Sequence, residues 1–421
     1  MRNIFDQYEQ DENKLTHSLA SCLYEDKRLL NSFLKNFCSN FFNQTSNLKI
    51  EQQTVPGERH LIDDESQRKG LPDAVIYTEE QCLIIESKGA STLTRDQLER
   101  HERTVRRRGF NNIRGIAIVV DLLPKVRLDN WEQLTWKQVY SWAYKETNKS
   151  NKETNKSKWA RKLIDYFNVW ENKYMVGKLE GSITEFTGVH FDDENPYSYL
   201  EGKRQLRLLV NKIKQNKILQ EELNVDLSKE GRGAMKGGTW DILRFKSGVE
   251  VMSFTDELYL TIGLGEIGIN GLLTVPYKMK GITRKNFYNL SWDDFKKIIY
   301  KIAQNYRNYF PNSKGFQPCI RIQQLRYPSQ SSTPITDGQM NLDIRTAFED
   351  LSSELKPTQK KQEEWLRAVF ELNNNKKSNI QFQVGADFFY NKHTLVNNKD
   401  ADQVVCKSFL ACKPLIDYLF S

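Results

Sequence analysis

Apolar residues recur at spacings near three and four along residues 12–38, where Leu15, Leu19, Leu23, Leu30, Phe33 and Phe37 predict an amphipathic helix that breaks near Asp26. The period then changes. LKIEQQTV (48–55) and PDAVIYT (72–78) read as strands, and QCLIIESK (81–88) is apolar enough to run through the middle of a sheet. A polar, arginine-rich helix follows over 91–109, with Thr94 as its cap and Gly109 as its stop. IRGIAIVVD (113–121) is a further buried strand, ended near Pro124. The predicted order is α-β-β-β-α-β.

The alternation is interrupted at residues 145–158, KETNKSNKETNKSK, where the unit KETNKS is written twice without an apolar face to bury. That stretch marks solvent, and a helical stretch, WARKLIDYFNVWENKYM, comes after it. The predicted organisation is a compact domain over 1–142, a repeat and helical linker over 143–180, and a larger α+β domain over 181–421. In the last of these, 194–218 and 292–310 read as helices and 238–265 as several strands. Residues 380–390 read as a late strand, and FLACKPLIDYLF as a closing helix.

With 38% hydrophobic and 28% charged residues the chain has the composition of a globular protein, and its net charge of +8 is modest for 421 residues. The six cysteines, Cys22, Cys38, Cys82, Cys319, Cys406 and Cys412, form no CxxC pair and no Cys/His ligand spacing, which argues against a zinc site or a disulfide framework and for a reducing cytosol. MRNIFDQYEQDEN lacks the apolar segment of a signal peptide, and nowhere do ~18 apolar residues run together as a membrane span requires. A cytoplasmic protein is expected.

Chemistry enters at residues 71–90, LPDAVIYTEEQCLIIESKGA. Alternate side chains of a strand share a face, so Glu86 and Lys88 point the same way, and Asp73 at the start of the neighbouring strand can lie across from them. Carboxylates that converge repel each other unless a cation sits between them. Mg²⁺ suits such a place, because it is held by one or two carboxylates plus waters and phosphate oxygens. It stabilises the charge of an attacked phosphodiester and lowers the pKa of a bound water, which Lys88 would position. An ordinary turn-capping Asp73 and a same-face Glu86–Lys88 pair on an edge strand is the plainer alternative.

Pro72-Asp73 followed by Glu86-Ser87-Lys88 resembles the PD-(D/E)xK motif of the restriction-endonuclease-like nuclease superfamily, and the predicted element order over roughly residues 10–125 is similar to that superfamily's core. The resemblance implies an α/β fold with a mixed central sheet flanked by helices. It implies Mg²⁺, with Mn²⁺ as a substitute, on Asp73, Glu86 and the backbone carbonyl of Ser87, with Lys88 as the catalytic lysine. Glu12, in DENKLTHSLA, occupies the place of an acidic residue that many members carry on the first helix near the metal. Some branches add a helical Gln-x-x-x-Tyr, whose Gln lies at the site. Here Gln97 is followed four residues later by His101, so the pattern is half met and His101 reads more simply as a structural histidine.

The same helix carries Arg95, Arg100, Arg103, Arg106, Arg107 and Arg108, with Arg114 beyond it. Arginines bind phosphates bidentately without reading sequence, and Arg103 with the Arg106, Arg107, Arg108 triplet is the part expected to touch a nucleic-acid backbone. A solvated face balanced by Asp96, Glu99 and Glu102 is the alternative for any one of them. In the larger domain, Tyr277, Lys278, Lys280, Arg284, Lys285, Phe287 and Tyr288 interleave rings with cations as a nucleic-acid groove does, although aromatics at helical spacing are more often core. GRGAMKGGTWD (231–241) suggests a loop at a ligand or partner surface. Gly263, Gly265 and Gly268 have dinucleotide-fingerprint spacing, but INGLLTVPYKMKG after them reads as strand where a helix is required, so a turn between strands is expected.

The combined expectation is a Mg²⁺-dependent nuclease, acting on DNA rather than RNA and as an endonuclease rather than an exonuclease. Prokaryotic restriction or antiphage defence is its context by analogy, and a homodimer or higher oligomer and an activating ligand or protein are its expected partners. The rival is a catalytically silent nucleic-acid-binding or assembly protein on the same fold.

Overall fold

A computed structural model of the chain describes residues 11–38, 41–42, 47–53, 71–89, 93–124, 126, 128–148, 157–174, 181, 183–189, 191, 197–231, 239–246, 253–311, 314–329, 332, 334–352, 363–374, 379–390 and 395–421. The chain divides into two compact units, Met1–Glu185 and Phe186–Ser421.

The first unit opens with helices α1 (Asp11–Glu25) and α2 (Lys27–Phe37). They part at Asp26, where the break was expected, because its carboxylate accepts the free N–H groups of Arg28 and Leu29 and so caps α2. Strands β1 (Lys49–Gln52), β2 (Ala74–Tyr77) and β3 (Gln81–Ser87) follow, then α3 (Arg95–Arg107) and β4 (Asn112–Val119). To these the structure adds β5 (Trp131–Thr135) and α4 (Trp136–Asn148), and the helical stretch expected after the repeat is α5 (Lys158–Tyr174). The five strands lie in the order β1-β2-β3-β4-β5, antiparallel from β1 to β3 and parallel from β3 to β5. This mixed sheet is consistent with a restriction-endonuclease-like fold.

Both faces of the sheet are covered, which is why β3 reads as an unbroken apolar run. On one face Ile76, Leu83, Ile85, Ile116 and Ile118 pack with Leu15, Leu19, Phe33, Trp136 and Phe167 from the helices. On the other, Val75, Ile84 and Ile113 meet Val105, while Ala117 and Val119 meet Leu98, so that α3, the crossover between the parallel strands β3 and β4, covers this face. The segment 143–180, expected as repeat and linker, contributes to this unit. Ala160, Leu163, Phe167 and Trp170 of α5 are buried in the same core as α1 and α4. Most of the KETNKS repeat lies outside the described residues.

In the second unit, strands Val225–Asp226, Trp240–Phe245, Tyr259–Leu264, Gly268–Val275, Phe316–Arg326, Ile335–Asp343 and Ile380–Phe389 become β6 to β12 in chain order. They form a seven-stranded antiparallel sheet in the order β11-β10-β12-β9-β8-β7-β6. Helices including Tyr199–Gln215, Trp292–Tyr309, Ala401–Ala411 and Lys413–Phe420 share one apolar cluster with Leu260, Leu273, Ile320 and Phe382 of the strands. Gly265 and Gly268 sit in the tight β8–β9 connection, where Gly265 N–H donates to Gly268 O over 2.9 Å, so the glycines make a hairpin turn as their flanks predict. Phe287, one of the interleaved aromatics, is core. All six cysteines are buried and free, and burial pushes the thiols of Cys22, Cys38, Cys82, Cys406 and Cys412 up to about 12. Among the described residues no helix is long and apolar enough to cross a membrane.

The first unit's core is keyed by Trp136 and Phe167, both fully buried, whose rings meet edge to face at 5.4 Å. Phe167→Ala is expected to cost about 3–5 kcal/mol, as large-to-small changes in a close-packed core do. Denaturant unfolding followed by tryptophan fluorescence checks this, and a cost under about 1 kcal/mol would show that the α5 packing carries little of the unit's stability.

Candidate functional site

Asp73 immediately precedes β2, and the pairing of Ala74 with Ile85 places it level with Glu86 at the end of β3. Its Oδ2 accepts the backbone N–H of Ser87 at 2.8 Å, which ties the two strand ends together. Glu86 is 1% exposed, and its charge is met from three sides. Lys88 Nζ lies 2.8 Å from Oε1. Gln97 Nε2 donates to the same oxygen over 2.5 Å. His101 Nε2 lies 3.1 Å from Oε2, within ion-pair reach but off the direction of a well-aligned hydrogen bond.

Local structure explains why these groups meet. Thr94 caps α3 by accepting the N–H of Gln97, so the helix begins beside the end of β3 and sends Gln97 and, one turn on, His101 toward Glu86. Lys88 is held by its own backbone, whose N–H donates to Ile118 O at 2.8 Å and whose carbonyl accepts Trp136 Nε1 at 3.2 Å. Ser87 is buried, with its hydroxyl bonded to that of Thr16 on α1. The electrostatics of the two carboxylates are opposite. Burial first, and then the charge of Glu86, pushes Asp73 up to about 7. Burial also pushes Glu86 up, but His101 and Lys88 more than offset it and hold that carboxyl below its ordinary value.

Asp73, Glu86, Ser87, Lys88 and Gln97, the residues singled out in the sequence, are therefore brought together. Glu12 lies in the first turn of α1, but its side chain is outside the described residues. His101 proves fully buried against Glu86, a placement that its spacing one turn after Gln97 could have signalled. Thr16 and Trp136 support the site from distant elements, and nothing in the local sequence marks them.

The arginines divide into two sets. Arg95 pairs with Glu99 at 2.9 Å and Arg106 with Glu102 at 2.6 Å, both as i,i+4 pairs on one side of α3. Arg100, Arg103 and Arg107 are exposed, and their spacing puts them in one stripe along another side of the helix. Arg108 is half-buried at the helix end. Arg106, one of the expected nucleic-acid contacts, is thus already matched by a carboxylate.

Among the described residues no group of three or more His, Cys, Asp and Glu side chains is placed to hold a metal ion. The residues present nonetheless fit Mg²⁺, an ion that takes one or two carboxylates and completes its shell with water. Asp73 and Glu86 converge so closely that one raises the pKa of the other, and Glu86 Oε2 is buried without an aligned hydrogen bond. A cation held by both carboxylates would offset the repulsion between their charges.

Residues 2–168 match the family model of the PD-(D/E)XK nuclease superfamily. No curated protein and no solved structure matches the chain.

The burial of Asp73, and then the charge of Glu86 beside it, should cost the metal-free protein stability at high pH. An aspartate raised from 3.8 to about 7 on folding leaves stability untouched below pH 3.8, lowers it progressively as pH rises toward 7, and holds it lowered above that. Asp73→Asn is therefore expected to stabilise the protein in EDTA by about 1–2 kcal/mol at pH 8 and by nothing at pH 4. Thermal melts at the two pH values check the sign, and equal melting of variant and wild type at pH 8 would contradict it.

Proposed function

We propose that this protein is a Mg²⁺-dependent nuclease that hydrolyses phosphodiester bonds in DNA, with Mn²⁺ able to replace Mg²⁺. The observation that carries this reading is the convergence of Asp73, Glu86 and Lys88 at the ends of β2 and β3, within a region that matches a nuclease superfamily. Bound Mg²⁺ would stabilise the charge developing on the attacked phosphate and acidify a water. Asp73, Glu86 and the Ser87 carbonyl would hold it, with Glu12 contributing from α1. Lys88, fixed through its backbone to Ile118 and Trp136, orients the attacking water and offsets negative charge in the transition state. Gln97 keeps Glu86 in place.

The exposed stripe of Arg100, Arg103 and Arg107 suits a phosphate backbone, giving affinity without sequence readout. Endonucleolytic action is the preferred form, and cutting both strands with one site per chain favours a homodimer. We assign recognition, regulation or assembly to the region after residue 180. Buried free cysteines fit a reducing cytoplasm, where a catalytic unit joined to a larger companion suits restriction or antiphage defence.

Supercoiled plasmid incubated with wild type, Asp73→Ala and Glu86→Ala, each in Mg²⁺ and in EDTA, tests the chemistry. Wild type in Mg²⁺ should nick or linearise the plasmid, and each variant should lose at least roughly a thousandfold in rate. Full activity in either variant would sink the assignment, and binding without any metal-dependent cleavage would favour the silent binder.

Binding of a labelled duplex across a salt series tests the arginine stripe. Arg103→Ala and Arg107→Ala should each weaken binding and reduce the log–log salt slope by about one, whereas Arg106→Ala, whose charge Glu102 already meets, should change it less. Equal effects from all three would show that the helix contributes only its summed charge.

A further inference from the structure

We propose that His101 is a positioning residue that fixes the carboxylate of Glu86 for metal binding. This rests on the nuclease reading above. Gln97 and His101 lie one helical turn apart on α3 and reach different oxygens of the same carboxylate, Gln97 at Oε1 over 2.5 Å and His101 at Oε2 over 3.1 Å. The torsion that turns a glutamate's carboxylate is broad and roughly two-fold, so partners at both oxygens hold its plane more tightly than partners at one. Gln97 and Lys88 both act on Oε1. His101 is the group beside the other oxygen, at ion-pair distance, so both ends of the carboxylate have a polar neighbour.

Burial supports a polar role. His101 is 0% exposed and sits on the inner face of α3 with Leu98 and Val105, where an aliphatic side chain would pack without the cost of burying a ring nitrogen. Outer partners that orient metal-binding groups tune the site, and losing one typically costs about 10–100-fold in metal affinity.

The test compares wild type with H101Q, which keeps an N–H donor near Oε2, and H101L, which keeps the bulk and removes the donor. Free Mn²⁺ is measured by electron paramagnetic resonance during titration, and thermal melts are recorded on the same samples. H101L should bind Mn²⁺ about 10–100-fold more weakly, and H101Q should recover most of that loss. A merely structural histidine predicts melting temperatures that fall in both variants with Mn²⁺ affinity unchanged, and that outcome overturns the proposal. If H101L does not fold, wild type labelled with ¹⁵N-histidine decides. Adding Mg²⁺ should shift one buried imidazole, and an unchanged histidine spectrum overturns the positioning role. A wild type that binds no Mn²⁺ and cleaves nothing overturns the nuclease reading as well. A wild type that binds Mn²⁺ no better than a folded H101L overturns this proposal alone.

Discussion

A carboxylate with almost no access to water, Glu86, is the constraint around which the first unit is arranged. A buried charge is tolerable only when several groups answer it, and here the answers come from three places in the chain. Lys88 lies just past the end of the same strand, while Gln97 and His101 descend from the helix that crosses over it. For these to converge, β3 must be central, α3 must begin close to the end of β3, and the Thr94 cap must set the phase of the helix. The parallel pairing of β3 with β4 does part of this, because it requires a crossover and the crossover is α3. Asp73 then completes an arrangement that is unbalanced by itself, two carboxylates held together by backbone hydrogen bonding and poised for a positive partner.

Much of this was legible because covered strands leave a strong signature. AVIY and QCLIIES are apolar on both faces, so the amino-acid pattern alone places them inside a sheet, and the interruption of that pattern by Asp73, Glu86 and Lys88 announces chemistry. Edge strands hide. WEQLT buries only Leu134 fully, and ITDGQMNLD is exposed along most of its length, so neither alternation nor hydrophobicity marks β5 or β11. The polar KETNKS repeat suggests a boundary, and so hides that the aromatic residues of α4 and α5 on either side of it belong to the first unit's core.

The arginine helix shows where residue type stops being enough. Composition counts Arg95, Arg103, Arg106 and Arg107 alike, but i,i+4 geometry gives Arg95 and Arg106 carboxylate partners on one side, while Arg100, Arg103 and Arg107 form a stripe that faces outward on another. His101 is the converse case. One polar residue on an apolar helix face reads as incidental until the sheet beneath it is known to carry a buried carboxylate.

The cysteines have a consequence of another kind. Each of the six thiols is enclosed, and the thiolate that electrophiles need is strongly disfavoured by burial. The native chain is thus chemically quiet toward maleimides and similar reagents while folded. A single cysteine introduced at an exposed position, such as Glu79 on the β2–β3 turn, would accept a fluorophore or spin label selectively, without first stripping the core of sulfur that its packing uses.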